Sequence, residues 1–395
     1  MKKQVLATLL TAAMAAGLMA GCGSSGGGQT TQAPAAETPA ATAAPAEEAP
    51  ADASEGASAA ESTASAEGGF HFEIVSKGFQ HQYWQAVLKG AEQKAAELGD
   101  TMNFVGPNTE SDIADQVQML QSAINQKPVA IGLAALDTSA CLDAIASAQS
   151  AGIPIVGFDS GVPGAPDGAV VANCATDNYA AGELAAEETY KLIADRIKNA
   201  DGAVRIGVMG QDATAESIIN RGLGFIDKIA ELATADGNTV TIEGNDKYVS
   251  DSKVEKTDGA NVIIEVLVPA QVTQELSAID CQNLLSKADT ICVYGSNQHS
   301  GDAMVTANQT MNKFGSGEGQ VIGVAFDSGA AIKGAVKDGT FAGAVTQAPV
   351  AMGEALVQTL HDVASGKEVK DIDTGCQWFT AENMDSPEIS QNLYD

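Results

Sequence analysis

From Phe70 onward, short continuous apolar runs alternate with segments of helical period, and the whole alternation plays through twice. A buried apolar run bounded by polar residues and Gly reads as a strand of a parallel sheet, and helix-period segments between such runs supply the crossovers. The first block holds strand-like His71–Ser76, 102–105, 129–134, Ile153–Phe158 and 169–173. Between them lie helical Tyr83–Leu98 (closed by Gly99), a helix capped by Ser111, and Ser139–Ala151. The second block repeats the rhythm with strands at 204–209, 240–243, 262–268, 291–294 and 321–326, and helices at 178–197, 215–232, 271–285 and 300–311. Residues 244–260 are polar and interrupt the rhythm, so they read as an inserted surface loop. The fold class that follows is α/β, with two similar doubly wound lobes built on parallel sheets.

Within this frame one tetrapeptide occurs twice. Phe158-Asp159-Ser160-Gly161 and Phe326-Asp327-Ser328-Gly329 each close an apolar strand. Ligands of open α/β sheets sit outside the carboxyl ends of the strands. Two acids at equivalent strand ends therefore predict two half-sites facing one bound molecule. A carboxylate accepts hydrogen bonds from two vicinal hydroxyls at once, which suits a neutral polyhydroxylated ligand. The competing reading of each Asp is a helix N-cap.

The ends of the chain speak to location. Met1-Lys2-Lys3, an apolar stretch from Val5 to Met19 and the sequence Ala20-Gly21-Cys22 have the layout of an export signal, too short to span a bilayer. The pattern resembles a bacterial lipoprotein signal, which implies that residues 1–21 are removed and that Cys22 is lipidated. Residues 22–69 are the lipidated Cys and a Gly/Ser/Ala/Thr/Pro/Glu-rich spacer whose composition disfavours folding. The expected place is extracytoplasmic, anchored to the outer face of the cell membrane or in the periplasm. With 21 Lys+Arg against 51 Asp+Glu, the net charge of -30 argues against nucleic-acid or anionic-lipid partners. Membrane contact is expected only through the anchor.

Other chemistry is thinly represented. His71, His81, His299 and His361 lack zinc-ligand spacing, so neither metal nor cofactor is expected. Cys141, Cys174, Cys281, Cys292 and Cys376 are either free buried thiols or, for an exported chain, include a bridge such as Cys281–Cys292. Gly315–Gly319 lacks the Lys-Ser/Thr of a phosphate loop and reads as a turn, and no nucleophile elbow is present.

The segment Phe79-Gln80-His81-Gln82-Tyr83-Trp84, the strand ending at Asp159, Thr176-Asp177-Asn178, Arg221 to Phe225, Asn297, Asp327 and Gln347-Ala348-Pro349 together resemble the sugar-binding type I periplasmic binding proteins of ABC importers, the ribose-binding-like branch. The resemblance covers essentially all of 70–395. It implies two lobes joined by three crossings, one of 70–175 plus 348–370 and the other of 176–347 plus 371–395, closing on a sugar. It implies ligand contacts from His81, Tyr83, Trp84, Asp159, Ser160, Arg221, Asn297, Asp327 and Gln347. In those roles Tyr83 and Trp84 cover the C–H faces of a ring, and Arg221 donates to its oxygens or balances the buried acids. Asn297 and Gln347 match a hydroxyl as both donor and acceptor, with turn or cap roles as the bland alternative. Trp84 also falls on the apolar stripe of its helix with Val87, Ala91 and Leu98, which leaves a core role open. Ser160 departs from the ribose binders, where Arg follows that Asp, so the sugar need not be ribose. The function implied is capture of a monosaccharide or small polyol and its delivery to an ABC permease by a monomer that is not an enzyme. The alternatives are a sensing receptor for a sugar or furanosyl signal and, in a different class, a glycosidase using the two Asp residues.

Overall fold

The computed structural model describes residues 69–394. In chain order the first elements are β1 (His71–Val75), α1 (Gln82–Leu98), β2 (Thr101–Val105), α2 (Ile113–Asn125), β3 (Ile131–Leu133), α3 (Leu142–Ser150), β4 (Ile155–Phe158) and β5 (Val170–Ala175). The second run comprises α4 (Asn178–Lys198), β6 (Val204–Met209), α5 (Glu216–Ala235), β7 (Val240–Gly244), α6 (Asp246–Asp251), β8 (Val262–Leu267), α7 (Gln274–Ser286), β9 (Thr290–Gly295), α8 (Gln298–Met311) and β10 (Ile322–Phe326). The chain finishes with α9 (Ala330–Lys337), β11 (Phe341–Gln347), α10 (Pro349–Ala364), β12 (Ile372–Asp373), β13 (Cys376–Phe379) and α11 (Pro387–Ser390).

These strands form two sheets, as the repeated alternation predicts. A six-stranded parallel sheet has the order β12-β5-β4-β3-β1-β2, and a seven-stranded sheet the order β13-β11-β10-β9-β6-β8-β7. Only β13 runs antiparallel to its neighbour, β11. Each sheet is buried on both faces. Phe72, Ile74, Val156 and Phe158 pack beneath α1 and α10, whereas Val75, Ile131, Leu133 and Ile155 face α2 and α3. The second sheet divides in the same way, with Ile206, Val208 and Ile264 toward α4 and α5 and Val293, Ala325 and Ala344 toward α7 and α8. Burial on both faces is why the strands read as unbroken apolar runs.

Local signals explain several boundaries. Gly99 ends α1 in the left-handed region at φ 74°, its N–H bonding back to Ala95 and Ala96. Asp177 caps α4 by accepting from the Ala180 N–H at 3.0 Å. Helices α4 and α5 approach so closely that a Cβ on Gly224 would lie 2.1 Å from the Tyr179 carbonyl oxygen. Arg221, from the middle of α5, stacks over Phe326 of β10 at 3.8 Å.

Several expectations need correction. The cap of α2 is Asp112 rather than Ser111, and the Asp112 carboxylate accepts from the Thr109 N–H instead of capping the helix. Residues 244–260 are not simply a surface loop: 246–251 form α6, and Tyr248 is buried with its hydroxyl bonded to the Ile218 carbonyl at 3.2 Å. A single buried ring inside a polar stretch is invisible to average polarity. The third change of sheet falls after Asp373, because Ile372 and Asp373 pair with β5, so 371–373 travel with the first sheet. Tyr394 also returns to pack its ring 5.9 Å from Tyr83. Of the two readings of the cysteines, the free-thiol one holds: Cys281 and Cys292 are separate buried thiols, and burial pushes the pKa of both up to about 12. Cys22 and the proposed spacer lie outside the described residues. Among the described residues no helix is long and apolar enough to cross a membrane, and no group of acids, His and Cys is placed to hold a metal.

Candidate functional site

Strand ends from both sheets converge on one cavity. From the first sheet come Lys77, just past β1, Glu110, in the loop after β2, and Asp159, just past β4. The start of α1 adds His81, Tyr83 and Trp84. From the second sheet come Gln211 past β6, Asn297 past β9, Asp327 past β10 and Gln347 at the end of β11, with Ile218 and Arg221 from α5. The free space between these side chains is about 30 Å³. That is about the share of one water in the liquid. A ring-sized ligand therefore requires the two halves to part or the lining side chains to move.

The tetrapeptide repeat extends to the backbone. Asp159 and Asp327 sit at φ 56° and 72°, among only four non-glycine residues with positive φ in the described chain. That conformation costs an ordinary residue roughly 1–2 kcal/mol, and Asp is one of the few that visit it. Asp159 is no N-cap: its Oδ1 accepts from the Tyr83 hydroxyl at 2.8 Å, and its Oδ2 lies 3.0 Å from the Lys77 ammonium. The latter contact is an ion pair without hydrogen-bond alignment, so Oδ2 keeps acceptor capacity. Asp327 accepts from Gln347 Nε2 at 2.7 Å and from the Gln298 N–H at 3.1 Å. Each sheet thus brings its own acid and its own cation, for Arg221 Nη1 lies 3.8 Å from Asp327 Oδ2.

Arg221 is more committed than its sequence position suggests. Its guanidinium donates to Asn178 Oδ1 through Nε and Nη2 at 3.2 and 2.7 Å and to the Ser296 carbonyl at 3.0 Å, and it stacks 3.8 Å from the Phe326 ring centroid. Charge balance beside Asp327 is the role this geometry favours. Trp84 satisfies both readings made of it. It is 1 % exposed and packs edge-on to Tyr83 and Phe158, yet it lines the cavity and its indole N–H donates to Glu110 at 2.6 Å.

Asn297 also does two things. Its Oδ1 caps α8 through the Ser300 N–H at 3.1 Å, and its Nδ2 donates to Gln211 at 2.7 Å inside the cleft. Gln347 links Asp327 to Thr176, whose hydroxyl donates to Gln347 Oε1 at 3.0 Å. His81 lines the cavity with Nδ1 buried and unpartnered. Ser160 alone among the expected residues is not brought to the cavity wall. Its hydroxyl instead accepts the Ser217 N–H from α5 at 3.2 Å, joining the two halves beside the site.

Lys77, Glu110 and Gln211 escaped sequence reasoning, although the strand-end rule that picked out the two Asp residues applies to β1, β2 and β6 alike. Lys77 donates to Ser217 across the cleft at 3.1 Å. Burial pulls its ammonium down, but Asp159, Glu110 and Asp212 outweigh burial and hold its pKa above the ordinary lysine value. Burial likewise pushes Glu110 up, and Lys77, His81 and the donors Gln211 and Trp84 bring it below the usual carboxylate range. Both groups stay charged. Gln211 Nε2 donates to Glu110 at 2.9 Å from the opposite half, and Gln298 Nε2 reaches Gln82 at 3.2 Å. The halves therefore meet around the cavity through polar contacts, which are individually weak in net terms and so reversible.

Comparison with known proteins places these features in context. Residues 72–368 match the periplasmic binding protein domain family. A solute binding protein of an ABC transporter from Agrobacterium vitis, solved with bound D-fucose, is 31% identical; the match covers 82% of this chain and 100% of that one with a TM-score of 0.67. A protein from Brachyspira murdochii described as an ABC transporter, LacI family transcriptional regulator, is 30% identical over 83% of this chain and 99% of its own, with a TM-score of 0.69. The ribose import binding protein of Bacillus subtilis is 26% identical over 290 residues, 73% of this chain and 79% of the relative.

Proposed function

The chain belongs to the periplasmic binding protein domain family, and we propose that it is a solute-binding protein that captures a neutral monosaccharide or small polyol between its two halves. The observation that carries this reading is the convergence of Asp159 and Asp327, in matching left-handed conformations, on one cavity also lined by Tyr83, Trp84, Asn297 and Gln347. Paired carboxylates and side-chain amides suit hydroxyl groups, and the aromatic rings suit the C–H face of a sugar. The relative from Agrobacterium vitis with its bound D-fucose and the ribose import binding protein of Bacillus subtilis support the choice of a sugar.

In this reading no chemistry is done on the ligand. The ligand bridges strand ends of the two halves, stabilises their closed arrangement and shifts the population toward it. An ABC permease then reads closure and accepts the sugar. Export and attachment through lipidated Cys22 hold the protein at the membrane as a monomer, with 22–69 as the tether. One lobe takes 70–175 with the α10 segment, and the other takes 176–347 with the C-terminal strand. A thermal-shift panel of pentoses, hexoses, polyols and nucleosides tests the proposal, because a ligand that binds only the folded state raises the melting temperature by mass action. A rise with at least one sugar or polyol is expected; a flat response to every carbohydrate overturns the assignment.

A further inference from the structure

A second cavity, of about 240 Å³, adjoins the first and shares His81, Glu110 and Gln211 with it. At about 30 Å³ per water in the liquid, it has room for a ring-sized group. Its walls come from both halves: Phe79, His81 and Asn108 on one side, Val272 and His299 on the other. Its outer rim is exposed at Phe79, Gln80, Asn108 and Thr109, so it forms a vestibule opening to solvent.

Three features make it more than a gap. Phe79 is 36 % exposed, one of only four large apolar side chains so exposed among the described residues, and it stands on this rim. An exposed ring costs solvation and has a use where a sugar's C–H face can lie against it. His81 Nδ1 is buried with no partner. Glu110 forms part of the wall common to both cavities and takes one donor on each oxygen, from Trp84 and from Gln211, which leaves further acceptor sites.

We propose that the cleft takes an extended carbohydrate, with one sugar ring at the Asp159–Asp327 site and a second, glycosidically linked ring in the vestibule, stacked on Phe79 and hydrogen-bonded to Glu110 and His81. This rests on the sugar-binding reading and specifies its ligand as a disaccharide. An anionic substituent such as a phosphate is disfavoured by the ionised Glu110 and by the net charge of -30.

The test is isothermal titration of the full chain and its Phe79→Ala variant with glucose, galactose, xylose and arabinose and with maltose, cellobiose, lactose, melibiose and xylobiose. At least one disaccharide is expected to bind about tenfold or more tighter than its component monosaccharide. Phe79→Ala is expected to erase that advantage while leaving monosaccharide affinity within about twofold, because Phe79 lines the vestibule and not the first cavity. Monosaccharide binding with no tighter disaccharide, or a disaccharide preference indifferent to Phe79→Ala, overturns the vestibule and spares the sugar-binding reading. Silence toward every compound overturns both.

Discussion

Lys77 Nζ lies 3.0 Å from Asp159 Oδ2, with both side chains buried, and the same ammonium reaches Ser217 of the opposite half at 3.1 Å. One residue thus neutralises the first of the two paired acids and touches the surface that must part for a ligand to enter. Removing one partner of a buried pair leaves the other charge without compensation. Lys77→Met is expected to destabilise the protein by about 3–5 kcal/mol, read by chemical denaturation. Lys77→Met with Asp159→Asn is expected to regain most of that loss. A single variant as stable as the parent would show the pair to be energetically idle.

Asp327 tests the ligand contact from the second half, where its neutralisation unpairs Arg221 rather than Lys77. Asn keeps the shape and tolerates a φ of 72°, whereas Ala does not. Asp327→Asn retains an acceptor but loses its charge, and charge-assisted hydrogen bonds are roughly twice as strong as neutral ones. Sugar affinity is expected to fall about tenfold, and the protein alone is expected to melt lower than the parent, because buried Arg221, 3.8 Å from Asp327 Oδ2, loses its counter-charge. Titration calorimetry giving equal affinities would remove Asp327 from the binding role.

The chain has two tryptophans, Trp84 in the cleft and Trp378 in β13. Ligand entry changes the surroundings of Trp84 and its bond to Glu110. Trp84→Phe is expected to abolish most of the ligand-induced change in emission, and Trp378→Phe to preserve it. The reverse pattern would place the optical response at the second sheet instead.

Two buried groups make opposing contributions to acid stability, which one substitution exposes. Burial pushes Asp302 from 3.8 up to about 6 and His299 from 6.5 down to about 4. The raised Asp302 contributes stability that is full below its unfolded value and is lost as pH climbs through about 6. The depressed His299 contributes stability present above its unfolded value and lost as pH falls through about 4. Between about 4 and 6 the two oppose each other. Asp302→Asn is expected to leave the His299 term alone, so its stability should drop on acidification more steeply than that of the parent. Parallel denaturation midpoints for both proteins from pH 4 to 6 would refute the offset.

Much of the molecule was written locally. The apolar runs at Ile155–Phe158 and Ile322–Phe326 and the Gly99 stop act over a few residues, so periodicity and turn chemistry suffice to read them. The recurrence of Phe-Asp-Ser-Gly likewise marks Asp159 and Asp327 without knowledge of their neighbours. Yet the same sequence did not tell Lys77 from any solvated lysine, nor Tyr248 from a loop residue. Lys77 meets Ser217 across 140 positions, and Arg221 meets Asn178 across 43. Ser160 was drawn to the Ser217 N–H rather than to the cavity by the same kind of remote encounter. Hydrophobic period and capping determine which strands exist and where they end. Only the docking of the two sheets decides which ends face each other, because the desolvation and charge pairing that set each side chain's role come from groups the chain brings in from afar.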